Sequence, residues 1–245
     1  MITENCFQIE LARLDLIWLG NLLGYIQFPF LGEETKAPLD ENQIKMVQRK
    51  MQNRGLVLYA PAKVWQVDGT LLVIAEIISN PEVLIEICTF SRGGKGKRVL
   101  IYPSTDFPLF VEVSDTLVFT IYAQLDELVV QQKKILHLLE KKESSGEVFS
   151  IPRTLIPSIM QVSQNKITED MKEFGINKGE VENIAELINT FSFMGLRTRY
   201  IFRDGDPFLE HQDCILSNNN QAWIGNFLGN NQVIVFNPME SASFH

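Results

Sequence analysis

Apolar residues recur along this chain with two different periods, and the change from one to the other divides it into helical and extended stretches. Cys6, Phe7, Ile9 and Leu11 open a short apolar segment, and Leu14, Ile17, Trp18, Leu22 and Tyr25 then follow at helical spacing, which predicts a helix over about 11–25. Asp40 is suited to cap a second helix whose apolar face is Ile44, Val47 and Met51, with Arg54-Gly55 as its basic, glycine-ended terminus. Leu56 to Tyr59 form a short apolar link. Asp68 then precedes a mostly buried helix from Leu71 to Ile78 that stops at Asn80-Pro81.

From Val83 the pattern changes to β-branched and aromatic runs at 83–90, 98–102, 107–113 and 116–122, separated by hairpin-length turns, so an antiparallel meander is expected. Helical spacing returns over 123–142. The stretch Glu143-Ser-Ser-Gly146 breaks it. Beyond that break, helices are expected at about 152–163, 166–174 and 179–191, then strands near 196–203, 213–217, 221–227 and 232–237. The order of elements therefore predicts an α+β fold of two quasi-symmetric halves, each with helices followed by a short antiparallel meander. An N-terminal half would span residues 1–143 and a C-terminal half residues 147–245, packed as one globular unit.

Composition narrows the function more than it names it. The chain has 245 residues, 45% of them hydrophobic, enough to bury a core without disulfides or metals. Its 22 basic and 30 acidic residues leave a net charge of −8, the wrong sign for a protein that gains affinity by neutralising phosphates. A winged helix-turn-helix reading of the second and third helices fails too, because Leu71-Leu-Val-Ile-Ala75 carries nothing to read base edges. No nucleic-acid partner is expected. The apolar stretch Leu14 to Leu31 is interrupted by Asp15, Gly20, Asn21, Gly24, Gln27 and Pro29, so it reads as a buried helix running into a loop, and no membrane insertion is expected. The N-terminus lacks a basic secretory start. Cys6, Cys88 and Cys214 are few, odd in number and widely spaced, as in a reducing cytoplasm.

Candidate chemistry is sparse. His211-Gln-Asp213-Cys214 is the one place where imidazole, carboxylate and thiol crowd together, but in a strand His211 and Cys214 point to opposite faces. The carboxylate pairs Glu33/Glu34, Glu180/Glu182 and Asp204/Asp206 lie in turns or a helix start. No catalytic, cofactor or metal site is therefore expected, and the chain reads as a non-enzyme. Ser91-Arg-Gly-Gly-Lys-Gly-Lys-Arg98 is different: it sets four cations around three glycines on an acidic protein. Lys97 is followed by Arg98 and a strand, so this is no phosphate-binding loop. Arg92, Lys95, Lys97 and Arg98 are the expected partner-binding residues, meeting an acidic face of a protein. The broad apolar stripe of helix 123–142, where it outruns its own sheet, suits a partner helix or a homodimer contact.

The order of elements resembles the EspG family of type VII secretion chaperones. The resemblance rests on the Leu-rich helix Leu11 to Leu23, on Met51-Gln-Asn-Arg-Gly-Leu-Val-Leu58, and on Ile74-Ala-Glu-Ile-Ile-Ser-Asn-Pro-Glu-Val83. It continues in the closing strands Gln221-Ala-Trp-Ile-Gly-Asn226 and Val233-Ile-Val-Phe-Asn-Pro238. The chain lacks the Ala/Arg-rich character of that family, and its loop at Ser91 to Lys97 is short where the family uses that region on substrate. The resemblance implies a cytosolic chaperone that shields a helical client with an apolar surface. The alternative is a small-molecule or enzymatic role in a cleft between the halves.

Overall fold

The computed structural model describes residues 6–25, 28–31, 38–92, 96–138, 147–160, 171, 178–218, 220–227, 229 and 232–239. Among these, the chain combines five α-helices with a ten-stranded sheet and a separate two-stranded one.

The first described element is a strand, β1 (Cys6–Ala12), where the sequence predicted the approach to a helix. Phe7, Ile9 and Leu11 alternate with polar residues, and that period of two lays Ile9 and Leu11 into the core as β1 pairs antiparallel with a later strand. Helix α1 (Arg13–Leu23) therefore starts two residues later than expected, and it ends on Gly24, whose φ of 81° only glycine adopts without strain. Asp40 caps α2 (Glu41–Asn53): its Oδ1 accepts from the Asn42 and Gln43 amides, and the Gln43 side chain accepts from the Asp40 amide. Val47 and Met51 are its buried face. The apolar link becomes β2 (Val57–Tyr59), which pairs with β3 (Trp65–Val67) in the small sheet. Asp68 then caps α3 (Gly69–Ser79), which buries Leu71, Ile74, Ala75 and Ile78.

The meander forms as β4 (Val83–Ser91), β5 (Lys97–Tyr102), β6 (Leu109–Val113) and β7 (Thr116–Tyr122). Helix α4 covers Leu125–Ile135. It is about half the expected length, because the chain turns at Leu136 and at His137, whose φ is 55°; the rest of the predicted stripe, 139–142, lies outside the described residues. The expected boundary at 143–146 lies outside them as well.

The next prediction was a helix over 152–163. The chain instead forms β8 (Phe149–Pro152) and a short 3-10 helix over Arg153–Ser158. Pro152 and Pro157 explain the difference, since each lacks the N–H an α-helical turn would use. The predicted helix at 166–174 falls outside the described residues apart from Met171. Helix α5 (Lys178–Thr190) follows, then β9 (Phe193–Arg203), β10 (Asp206–Ser217), β11 (Ala222–Asn226) and β12 (Val233–Pro238). Asp204 and Gly205 join β9 to β10 with positive φ at both positions, the backbone a two-residue hairpin requires.

The strands are ordered β1-β7-β6-β5-β4-β9-β10-β11-β12-β8. The expected pattern of helices first and strands second is thus not what forms: β1 precedes the first helices and β8 precedes α5, and each pairs with the last strand of its series, β7 and β12. Strand content is accordingly larger than the sequence suggested.

Two compact units share the chain. Unit 1 comprises Met1–Leu84, Val99–Leu128 and Phe202–Asp206, and unit 2 comprises Ile85–Arg98, Val129–Ile201 and Pro207–His245. In unit 2, Phe149, Phe191, Trp223 and Phe236 form an aromatic cluster with centroid separations from 5.2 to 6.0 Å, closed by Ile184, Ile188 and Leu216. In unit 1, Trp18 meets Trp65 edge to face at 5.4 Å and so ties the small sheet to α1.

Candidate partner-binding surface

The basic turn between β4 and β5 is less uniform than its sequence. Arg92 reaches to the end of α5, where its guanidinium donates to the carbonyls of Ile188 and Asn189 at 3.3 and 3.4 Å, and its amide donates to Ser192 O at 3.2 Å. Both carbonyls lie in the last turn of the helix, where Ile188 O also accepts from the Phe191 amide at 3.1 Å, so the cation bonds them and complements the negative helix end. Arg98 is committed too. Its Nε lies 2.6 Å from Glu86 Oε1 on β4. Lys97 stays exposed, and Lys95 lies outside the described residues. Gly96 relieves a close approach, since a Cβ there would lie 3.0 Å from Thr89 O.

Near the Arg98–Glu86 pair stand Cys88 and Tyr200. Burial pushes the Cys88 thiol up, the Glu86 carboxylate adds to this, and Arg98 opposes it. The Tyr200 hydroxyl is raised for the same reasons, burial first. Neither group is poised to ionise at neutral pH, so neither supplies a nucleophile.

Helix α5, capped by Arg92, also forms one wall of a groove of about 610 Å³ in unit 2. Ile184, Leu187 and Thr190 line it from the helix, Val148 and Phe149 from the start of β8, and Trp223 from β11. The Trp223 indole donates to Glu147 O at 3.2 Å and so fixes the entry to β8. Glu147 and Glu186 stand on the rim with Asn183 and Gln221, and among the described residues no lysine or arginine lines the groove. An apolar floor with an acidic rim suits a ligand or segment that is apolar and positively charged. Little in the sequence points to this site, because its three walls are separated by more than thirty residues each. The apolar Val148, Phe149 and Ile151 ahead of Pro152 were the available signal.

The His211 to Cys214 segment lies in β10, and the alternation of that strand decides its chemistry. His211 and Asp213 share a face, with His211 Nε2 2.7 Å from Asp213 Oδ1, while Cys214 points into the core and is fully buried. Arg197 on β9 donates to Asp213 Oδ2 from both Nε (3.1 Å) and Nη2 (2.6 Å). Burial pushes the Cys214 thiol far up, helped by Asp213, which marks a packing residue rather than a reactive one. The cluster is an ion pair holding two strands together. No group of His, Cys, Asp and Glu among the described residues has the geometry of a metal site. Asp204 and Asp206 flank the β9–β10 turn and are exposed; Glu33, Glu34 and the Glu180 side chain lie outside the described residues.

No protein-family model matches the chain, and no curated protein matches it. Among solved structures, it is similar to the type VII secretion system chaperone EspG5 of Mycobacterium tuberculosis, determined in complex with a PE25–PPE41 dimer. The TM-score is 0.63 at 10% sequence identity, over 96% of this chain and 92% of that one. At that identity the likeness is one of fold. No helix among the described residues is long and apolar enough to cross a membrane.

Proposed function

We propose that this chain is a non-enzymatic, cytoplasmic protein-binding module of the secretion-chaperone kind, which shields a helical client with an apolar surface. The observation that carries the reading is the likeness of fold, over nearly the whole of both chains, to a chaperone solved while holding a protein dimer. In the finer architecture of this reading, two related halves each run from an edge strand through helices into four antiparallel strands. The client contacts the basic turn, through Lys95 and Lys97 directly, with Arg92 and Arg98 holding its base. The groove beside α5 takes an apolar, positively charged part of the client. Co-expression with small helical proteins encoded beside this chain, followed by purification through a tag on the client, tests it. A stoichiometric complex that is lost on Leu187→Asp, a change in the groove wall, is the expected result. Failure of every neighbouring helical protein to co-purify sinks the reading.

A second reading is carried by the groove itself, whose 610 Å³ is of the size that holds a small molecule. In that reading the ligand is an amphipathic organic cation. A thermal-shift screen separates the two, because a ligand that binds only the folded chain raises the melting temperature by mass action.

A further inference from the structure

Between Asn42 and Val67 the chain carries five basic residues, Lys45, Arg49, Lys50, Arg54 and Lys63, and no acid, on a protein whose net charge is −8. Two of the five are engaged: Lys50 reaches the buried Asp15, and Lys45 pairs with Glu41 at 3.5 Å. Arg49, Arg54 and Lys63 are exposed. The β2–β3 hairpin beside them presents apolar side chains to solvent, Leu58 at 60%, Tyr59 at 48% and Val64 at 54% exposure. It is held rigidly, because Tyr59 packs on Trp65 at 5.0 Å, Trp65 packs on Trp18, and the Ala60 amide closes the turn on Val64 O. A preorganised apolar tip flanked by cations is built for contact, since ordering it on binding costs little entropy.

Unit 2 carries the complement. Its groove is apolar at the floor, has Glu147 and Glu186 on the rim, and has the exposed Glu182 one helical turn before Glu186. We infer that the β2–β3 hairpin of one copy of this chain seats in the α5 groove of a second copy. Leu58 and Val64, which share one face of the hairpin, meet Val148 and Leu187, while Arg54 and Lys63 meet Glu147 and Glu186. A lipid surface fits less well, because the apolar face of α2, Val47 and Met51, is already buried in the fold and leaves no amphipathic helix to lie on a bilayer. A hairpin tip covers little area, so the association is weak and reversible, and it is electrostatically sensitive because its charges lie at the rim. The inference does not depend on the chaperone reading.

Sedimentation velocity of the full chain across a concentration series, at low salt and at about 0.5 M salt where screening acts within a few ångströms, tests this directly. The expected result is a weight-average mass that rises with concentration at low salt and returns to the monomer at high salt. Arg54→Glu with Lys63→Glu reverses the hairpin, and Glu147→Lys with Glu186→Lys reverses the groove. Each double variant should weaken self-association by about tenfold or more. An equimolar mixture of the two variants should restore it, since each then offers the surface that the other lacks. Leu58→Ser with Val64→Ser should abolish association while leaving the melting temperature near that of the parent. A chain that stays monomeric at low salt overturns the inference. So does a mixture of folded variants that fails to associate, or a chain that stays monomeric yet pellets with phosphatidylserine vesicles through the same hairpin cations.

Discussion

Among the described residues, each unit buries one carboxylate almost completely, and the two are stabilised in different ways. Asp15 in unit 1 is 1% exposed; it accepts from the Ala12 amide at 2.8 Å, and Lys50 reaches it at 2.5 Å from a side chain that remains 43% exposed. Asp213 in unit 2 is 2% exposed and is held from neighbouring positions in the sheet by Arg197, itself 14% exposed, and by His211. A buried charge is tolerable only when its lone pairs are filled. At Asp15 a flexible ammonium with one end in water does this together with a backbone amide. At Asp213 a planar guanidinium with little access for solvent does it together with an imidazole that is 38% exposed. Water can take the place of the ammonium at Asp15 more readily than that of the guanidinium at Asp213.

The largest effect follows from that difference. Arg197→Ala leaves Asp213 buried with His211 beside it, and should cost about 3–5 kcal/mol in urea denaturation, followed by the fluorescence of Trp223 in a background where Trp18 and Trp65 are replaced by Phe. Arg197→Lys should restore little, because a point charge cannot donate twice to one carboxylate oxygen from the guanidinium's fixed geometry. Lys50→Ala should cost less, about 1–2 kcal/mol, because water replaces the ammonium and the Ala12 amide still binds Asp15. Lys50→Arg should be close to neutral. Equal losses at the two sites would show that burial alone, and not the geometry of the partners, sets the energy.

A second way to separate the units uses pH. The raised thiols, Cys88 and Cys214, both belong to unit 2, whereas Cys6 lies in unit 1 and is exposed. In the unfolded chain a thiol ionises near pH 8.5, while the buried ones keep their protons to higher pH. Their contribution to stability is therefore complete below about pH 8.5 and is lost as pH rises beyond it, with a slope approaching ~1.4 kcal/mol per pH unit for each thiol. Denaturation at pH 7.5, 9 and 10 checks this, and Cys88→Ser should make the fall shallower. A thiol-reactive dye at pH 8 should label Cys6 first, and Cys214 only on unfolding.

The elements that local rules specify were the ones readable from the sequence. Asp40 and Asp68 cap their helices as predicted, and the four strands from Val83 to Tyr122 fall within two residues of their expected bounds. What was missed depended on partners distant in the chain. β1 is recognisable only beside β7, and β10 begins at Asp206, seven residues before its apolar run, because Glu210 and Gln212 bond across to Arg199 and Thr198 on β9. The candidate site divides in the same way. The basic turn was visible as composition, but its division into two anchoring arginines and an outward lysine required α5 and Glu86 to be brought beside it. The groove has only the apolar Val148, Phe149 and Ile151 as a local signature, since Phe149, Leu187 and Trp223 meet only in three dimensions.

That division reduces and sharpens the expectation for the basic turn, which gives the smallest effects on stability. If all four cations were solvated, replacing Arg92, Lys95, Lys97 and Arg98 by Ser would leave the melting temperature within about 2 °C. Arg92 bonds the last carbonyls of α5 and Arg98 bonds Glu86, so the fourfold variant should instead lose roughly 1–2 kcal/mol, most of it recovered when Arg92 alone is restored. Lys97→Ser should change stability by less than about 0.5 kcal/mol, as expected for an exposed side chain. Its effect belongs to association: a solvated cation steers an acidic partner and does little once the complex has formed. Stopped-flow mixing of the Lys97→Ser variant with a purified client should show a slower association rate at low salt, a shallower dependence on salt and an unchanged dissociation rate. A faster dissociation with unchanged association would place Lys97 inside the final contact, and unchanged kinetics throughout would remove the basic turn from the contact and leave the α5 groove alone.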